Sequence, residues 1–177
     1  MYLSTSRLTL REYRESDFET LFALDIDPEV LGMRGREAVP RAQAQHHFET
    51  LLQMQNEQPR YGFTFIIEHQ TMQSPVGRCR LQITNASIRE AEIGYHLSPQ
   101  AWGHGYATET ARELLRFGFQ DLNLHRIMAK CYVENSRSMH ILEKIGMKLE
   151  GRMRQNRWVD GVWKDTFIYS ILAHEWQ

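Results

Sequence analysis

The chain has 177 residues, a formal net charge of −1, and 42% hydrophobic and 24% charged residues. That is the composition of an ordinary globular domain, long enough to bury one continuous core without disulfides or a structural metal. The near-zero charge gives no electrostatic case for nucleic acid or an anionic membrane as a partner, and no run of 18 apolar residues is present to span a bilayer. Cys79 and Cys131, the only two cysteines, fall in strand-like runs and read as reduced core thiols. Residues 1–7 show no basic region followed by an apolar stretch, so the expectation is one cytoplasmic domain over 1–177.

In chain order, residues 7–13 alternate, with Leu8 and Leu10 opposite Thr9 and Arg11, and predict a first strand. Ser16 and Glu19 form a capping-box pattern ahead of Phe18, Leu21, Phe22 and Ala23, which predicts a helix. A second helix begins near Pro40 and turns Ala44, Phe48, Leu51, Leu52 and Met54 to the core. The segment between them, with Asp25, Asp27, Pro28, Gly32 and Gly35, receives no assignment. Tyr61, Phe63, Phe65 and Ile67 alternate with more polar neighbours, and strands over 76–84 and 91–97 complete an antiparallel meander. Ala107, Ala111, Leu114, Leu115, Gly118 and Leu122 recur at helical spacing. Residues 126–133 return as a strand, and a strand-loop-helix-strand unit implies a right-handed crossover and a parallel pair. Asn135 is a good N-cap for a helix through Met139, Ile141, Leu142 and Ile145 that Gly146 ends. The last third reads as a long hairpin turning at Asp160-Gly161. The class is α+β: a mixed, largely antiparallel sheet flanked by helices.

Residues 100–107 (Gln-Ala-Trp-Gly-His-Gly-Tyr-Ala) connect the strand over 91–97 to the following helix. A strand, a glycine loop and a helix N-terminus together present unpaired backbone N–H groups to a phosphate. A dinucleotide fingerprint would need a third glycine at 108, where Thr stands, and no Gly-Lys-Ser/Thr follows to make a nucleotide-triphosphate loop. Eight histidines, His46, His47, His96, His104, His125 and His140 among them, show no metal-ligand spacing with Cys or Asp, and no metal is expected. The run Arg152, Arg154, Arg157 lies close to Asp160 and Asp165 and reads as a solvated strand face or the rim of a small acidic-ligand site. Trp158, Trp163 and Tyr169 fit either an acceptor pocket or the core.

Four ordered motifs carry a family resemblance. Gln100-x-x-Gly103-x-Gly105-Tyr106-Ala107-Thr108-Glu109, preceded by Glu92-Ile93-Gly94-Tyr95, is similar to the cofactor loop and its strand in the GNAT superfamily of acyl-CoA-dependent N-acyltransferases. Thr5-Ser6-Arg7-Leu8-Thr9-Leu10-Arg11, Asn135-x-x-Ser138 with Leu142-Glu143-Lys144-Ile145-Gly146-Met147, and Asp160-Gly161-Val162-Trp163-Lys164-Asp165 resemble the opening strand, second cofactor helix and closing hairpin of one branch. That branch contains the ribosomal-protein N-terminal alanine and serine acetyltransferases, and the resemblance spans residues 6–176. It implies acetyl-CoA as cosubstrate and a primary amine as acceptor, a peptide N-terminus or a small molecule, with the protein a monomer or homodimer.

The resemblance also assigns candidate residues. Pyrophosphate would lie on the loop and helix start, at Gln100, Trp102, Gly103, His104 and Gly105, then Tyr106, Ala107 and Thr108. Gln100 stands where many relatives have Arg, and packing beneath the loop is the favoured alternative for Trp102. The pantetheine arm would pair with Ile93, Gly94 and Tyr95, where a backbone N–H could polarise the thioester. Asn135 would fix the arm or its helix. Glu92 is the candidate base, acting through water or orienting the acceptor. The tyrosine that many relatives place beside the leaving thiolate is replaced by Leu142, which leaves Ser138 as the candidate hydrogen-bond donor; capping or packing the helix start is its alternative. A CoA-binding sensor without catalysis fits the same motifs.

Overall fold

The structure, a computed structural model, describes residues 1–34 and 38–176. Its strands are β1 (Tyr2–Ser4), β2 (Leu8–Glu12), β3 (Gly62–His69), β4 (Ser74–Asn85), β5 (Glu90–Leu97), β6 (Arg126–Tyr132), β7 (Lys148–Val159) and β8 (Val162–Leu172). They form one sheet in the order β1-β2-β3-β4-β5-β6-β8-β7. Every neighbouring pair is antiparallel except β5 with β6, which the crossover through α4 (Tyr106–Arg116) makes parallel. The other helices are α1 (Phe18–Ile26), α2 (Pro28–Arg34), α3 (Arg41–Met54) and α5 (Ser136–Lys144).

Strand alternation divides the apolar residues between the two faces. Leu8, Leu10, Phe65, Ile67, Leu81 and Ile93 turn to one face, where Ala111, Leu114 and Leu115 of α4 and Leu142 of α5 cover them. On the other face Ile66 and Tyr13 pack with Phe18 and Leu21 of α1 and Phe48 of α3. Beyond those two helices, that second face carries the charged side chains of β4, β5 and β6.

The expected meander and parallel crossover are present, as are the helix capped by Asn135 and the hairpin, whose Asp160 and Gly161 both have positive φ. Several expectations are corrected. A strand, β1, precedes the first expected one and pairs Leu3 with Leu10. The Ser16 capping box does not open α1: Glu15–Asp17 forms a 3-10 turn, and the Asp17 carboxylate accepts the Arg14 N–H at 2.7 Å. The segment left unassigned holds α2, opened by the Asp27 carboxylate accepting the N–H groups of Glu29 and Val30 at 2.9 and 3.2 Å; Gly35 lies outside the described residues. The helix after the glycine loop ends in a π turn over Phe117–Asp121. The closing hairpin has no place in the strand order read from the sequence; β8 is the arm that lies beside β6.

Candidate functional site

β5 and β6 pair through only three residues: Glu90 with Arg126, Ala91 with Ile127 and Glu92 with Met128. Past Glu92 they separate. Ile93, Gly94 and Tyr95 continue their pairing with Leu81, Arg80 and Cys79 of β4, while β6 continues along β8 to Tyr132. From Ile93 onward the β6-facing edge of β5 therefore has no strand partner, and an extended group can add to it as a strand would.

The glycine loop lies at the open end of this gap. A 3-10 turn over Pro99–Ala101 brings Gln100 to the surface, and the Trp102 indole donates to the Leu97 carbonyl at 3.0 Å, with the Arg137 guanidinium 5.1 Å from the ring. Trp102 thus packs beneath the loop. Gly103 and Gly105 both have φ of +80°, a conformation that L side chains rarely adopt, and Gly105 leads directly into α4. The backbone N–H groups of residues 103–108 donate to no acceptor among the described residues. Unpaired N–H groups at the head of a helix are a site for phosphate oxygens, so the loop fits a pyrophosphate. Tyr106 is buried between the rings of His69 and His104, and it supports the loop from below. Beside Gly105, an open cleft of about 570 Å³ is lined by Arg112 and Lys144, and by Arg7 and Arg116, which pair with the Glu109 and Glu113 carboxylates of the same lining.

Ser138 approaches the gap from the first turn of α5. Asn135 Oδ1 accepts the Ser138 N–H at 3.0 Å, so the cap fixes the serine backbone. Its Oγ lies 3.4 Å from the Tyr95 hydroxyl. Burial pushes the Tyr95 phenol up to about 12, against a smaller opposing effect of Ser138, and pushes the Cys131 thiol up to about 11. Both stay protonated at neutral pH. Leu142 is 1% exposed within the core, so its position on α5 contributes packing and no polar group.

Glu92 reaches the gap from the opposite face of the sheet, since it alternates with the core residues Ala91 and Ile93. Oε1 accepts from Arg80 Nη2 at 3.0 Å and Oε2 accepts from Lys130 Nζ at 2.6 Å. Arg80 lies across the strand beside Gly94, where a Cβ would make ordinary contact with its Nε at 3.5 Å. The structure thus brings Glu92 and Ser138 to the same gap from its two sides. Sequence reasoning missed Arg80 and Lys130, which only strand register places beside Glu92.

The remaining candidates fall elsewhere. Tyr169 is core and donates to Glu143, while Trp158 and Trp163 meet edge to face at the exposed hairpin tip, ring centroids 5.1 Å apart. Arg152 pairs with Asp165. Among the described residues, no three His, Cys, Asp or Glu side chains group as metal ligands, and no helix is long and apolar enough to cross a membrane.

A splayed parallel strand pair beside a phosphate-binding loop at a helix head, with polar groups on both sides of the gap, defines an acyl-CoA-dependent N-acetyltransferase. Comparison with known proteins gives the family. A sequence model described as the acetyltransferase (GNAT) domain matches residues 7–148. The chain is 31% identical over 173 residues to the uncharacterized N-acetyltransferase YoaA of Bacillus subtilis (strain 168), covering 96% of each. A crystal structure of a probable acetyltransferase superposes with a TM-score of 0.88 at 26% identity, covering 99% of both chains. Over about half its length the chain is also similar to the putative ribosomal N-acetyltransferase YdaF of B. subtilis (36% identity, 50% of this chain and 49% of that protein). Its similarity to the spermidine N(1)-acetyltransferase of Escherichia coli (strain K12) is of comparable extent (30% identity, 56% and 54%). The chain belongs to the GNAT acetyltransferase family.

Proposed function

We propose that the chain, acting as a single domain over 1–177 in the cytoplasm, moves an acetyl group from acetyl-CoA to the N-terminal α-amine of a peptide or protein, as a monomer or homodimer without nucleic-acid or membrane partners. The observation that carries this reading is the row of unpaired N–H groups over residues 103–108 at the mouth of the β5–β6 gap. These groups and Gln100 hold the pyrophosphate, and the free edge at Ile93, Gly94 and Tyr95 pairs with the pantetheine arm. The thioester then lies between Glu92 and Ser138. The amine nitrogen attacks the acyl carbon, a backbone N–H of the β5 edge stabilises the oxyanion, and the C–S bond breaks. Glu92 accepts the amine proton through water, and the Ser138 hydroxyl donates to the departing sulfur.

An α-amine, with a reference pKa of about 8, needs less deprotonation than a lysine at about 10.4. Arg80 and Lys130 on either side of Glu92 also favour an acceptor with one amine over a polyamine, which would bring several positive charges past two cations.

The test is free-thiol release from acetyl-CoA against N-terminal peptides, polyamines, aminoglycosides and amino acids, with CoA binding followed by calorimetry. Release with peptides is the expected result. Release with polyamines alone overturns the acceptor class, CoA binding without turnover supports a sensor, and no CoA binding overturns the whole reading.

A further inference from the structure

The Thr5–Ser6–Arg7 turn between β1 and β2 takes no part in the chemistry above, yet it makes the densest polar contact in the molecule with the cofactor loop. Arg7 donates from Nε to Glu109 Oε2 at 2.8 Å, its Nη2 lies 2.6 Å from the same oxygen, and its Nη1 donates to the His104 carbonyl at 3.0 Å. Its backbone N–H donates to Glu109 Oε1 at 2.9 Å, where the Thr5 and Ser6 hydroxyls also converge. The guanidinium lies 4.7 Å from the centre of the Tyr106 ring, and a Cβ on Gly105 would be 3.6 Å from Nη2. We infer that this turn is a clamp that holds the glycine loop in its phosphate-receiving shape, with Arg7 as a positioning residue acting through Glu109 and His104. The inference rests on the acyl-CoA reading of the loop.

The loop has little of its own to fix it. Its internal bonds are the Ala101 N–H to Ser98, the Trp102 N–H to Pro99, the Trp102 indole to Leu97 and the Glu109 N–H to Gly105, and two glycines sit in the left-handed region. Left free, such a segment would lose conformational entropy on ordering around a ligand, and that loss would come out of affinity. Arg7 places one fork on the middle of the loop, at His104, and on the first turn of α4, at Glu109. Burial alone would raise the Glu109 carboxyl, but the hydrogen bonds from Thr5 and Arg7 more than offset it and hold it below the usual carboxylate range. The carboxylate is therefore ionised and neutralised by Arg7, which keeps a bare negative charge away from an arriving pyrophosphate. β2 does not need the clamp for its own packing, since Leu8 and Leu10 are fully buried in the core.

The experiment measures CoA affinity by calorimetry, with kcat and both KM values, for Arg7→Gln, Arg7→Lys and Glu109→Gln in the full chain. Arg7→Gln should weaken CoA binding and raise the acetyl-CoA KM about tenfold, with kcat at saturation and the amine KM unchanged. Arg7→Lys should not rescue it, because a single ammonium cannot span Glu109 and His104 as the fork does. Glu109→Gln should weaken CoA in the same direction, and it decides the matter if the Arg7 variants do not fold. 3′-Dephospho-CoA should lose the same factor as CoA. A lowered melting temperature with unchanged CoA affinity would overturn the clamp, as would a loss confined to CoA with its 3′-phosphate, which would make Arg7 a direct ligand. If the wild-type protein itself does not bind CoA, the acyl-CoA reading fails and takes the clamp with it.

Discussion

Ser138 holds its place through the Asn135 cap on its N–H and through the Tyr95 hydroxyl and the Cys131 thiol beside its side chain. Removing the hydroxyl alone should leave this frame standing. Ser138→Ala is therefore expected to lower kcat about tenfold, the worth of one hydrogen bond to a developing charge, with both KM values within twofold. Stopped-flow or steady-state thiol release with a peptide acceptor checks this, and an unchanged kcat would return Ser138 to a packing role. The identities of Glu92 and Ser138 are legible as single letters in recognisable motifs. Their setting is not. Arg80 and Lys130 meet Glu92 from strands 12 and 38 residues away in sequence, so nothing local to the Glu92 motif announces them.

At the scale of elements, long periodic segments were readable and short or irregular ones were not. α4 and α5 announce themselves by an apolar stripe, and β3 to β5 by alternation. β1 has three residues, too few for any period, and it exists because Leu3 pairs with Leu10. α2 did carry a signal, Asp27 as N-cap followed by Pro28 at the first helical position; two nearby glycines masked it. The π turn after α4 places Gly118 close against side chains of the sheet. A Cβ on Gly118 would come within 2.5 Å of Ile127 Cδ1 and 3.1 Å of Leu81 Cδ1, so these two fully buried methyl groups would have to shift. Gly118→Ala should then destabilise the fold by about 1–3 kcal/mol through overpacking, despite the better helix propensity of alanine. Urea denaturation measures it, and a stabilised variant would show that the sheet can yield.

Across the whole molecule, stability should depend on acid through one nearly buried network. Arg11 donates to Asp17 at 2.7 and 2.8 Å and to Glu68 at 2.8 Å, joining β2, the turn before α1 and β3. Burial would raise the Asp17 carboxyl, but the Arg11 hydrogen bonds and the Arg14 N–H together hold it below its ordinary value, and Arg11 itself is raised, chiefly by Asp17. A carboxylate whose folded pKa is depressed contributes stability above its unfolded pKa, about 3.9, and loses it as pH falls through the folded value. Thermal stability should accordingly be level from pH 6 to 8 and fall steeply below about pH 4. Asp17→Asn should cost about 3 kcal/mol at neutral pH and flatten that acid limb. Melting curves across pH decide it, and an acid limb unchanged in Asp17→Asn would assign it to other carboxylates.

The placement of β8 between β6 and β7 gives the molecule an order of completion. β6 shares only three residue pairs with β5, whereas β8 accompanies it along its full length, from Arg126 opposite Leu172 to Tyr132 opposite Thr166. The far wall of the acyl gap is thus held in position by the last strand of the sheet to emerge during synthesis. If the gap receives the acyl group as proposed, a nascent chain would carry the glycine loop, Glu92 and Ser138 before the strand that walls the gap, and transfer would wait for β8.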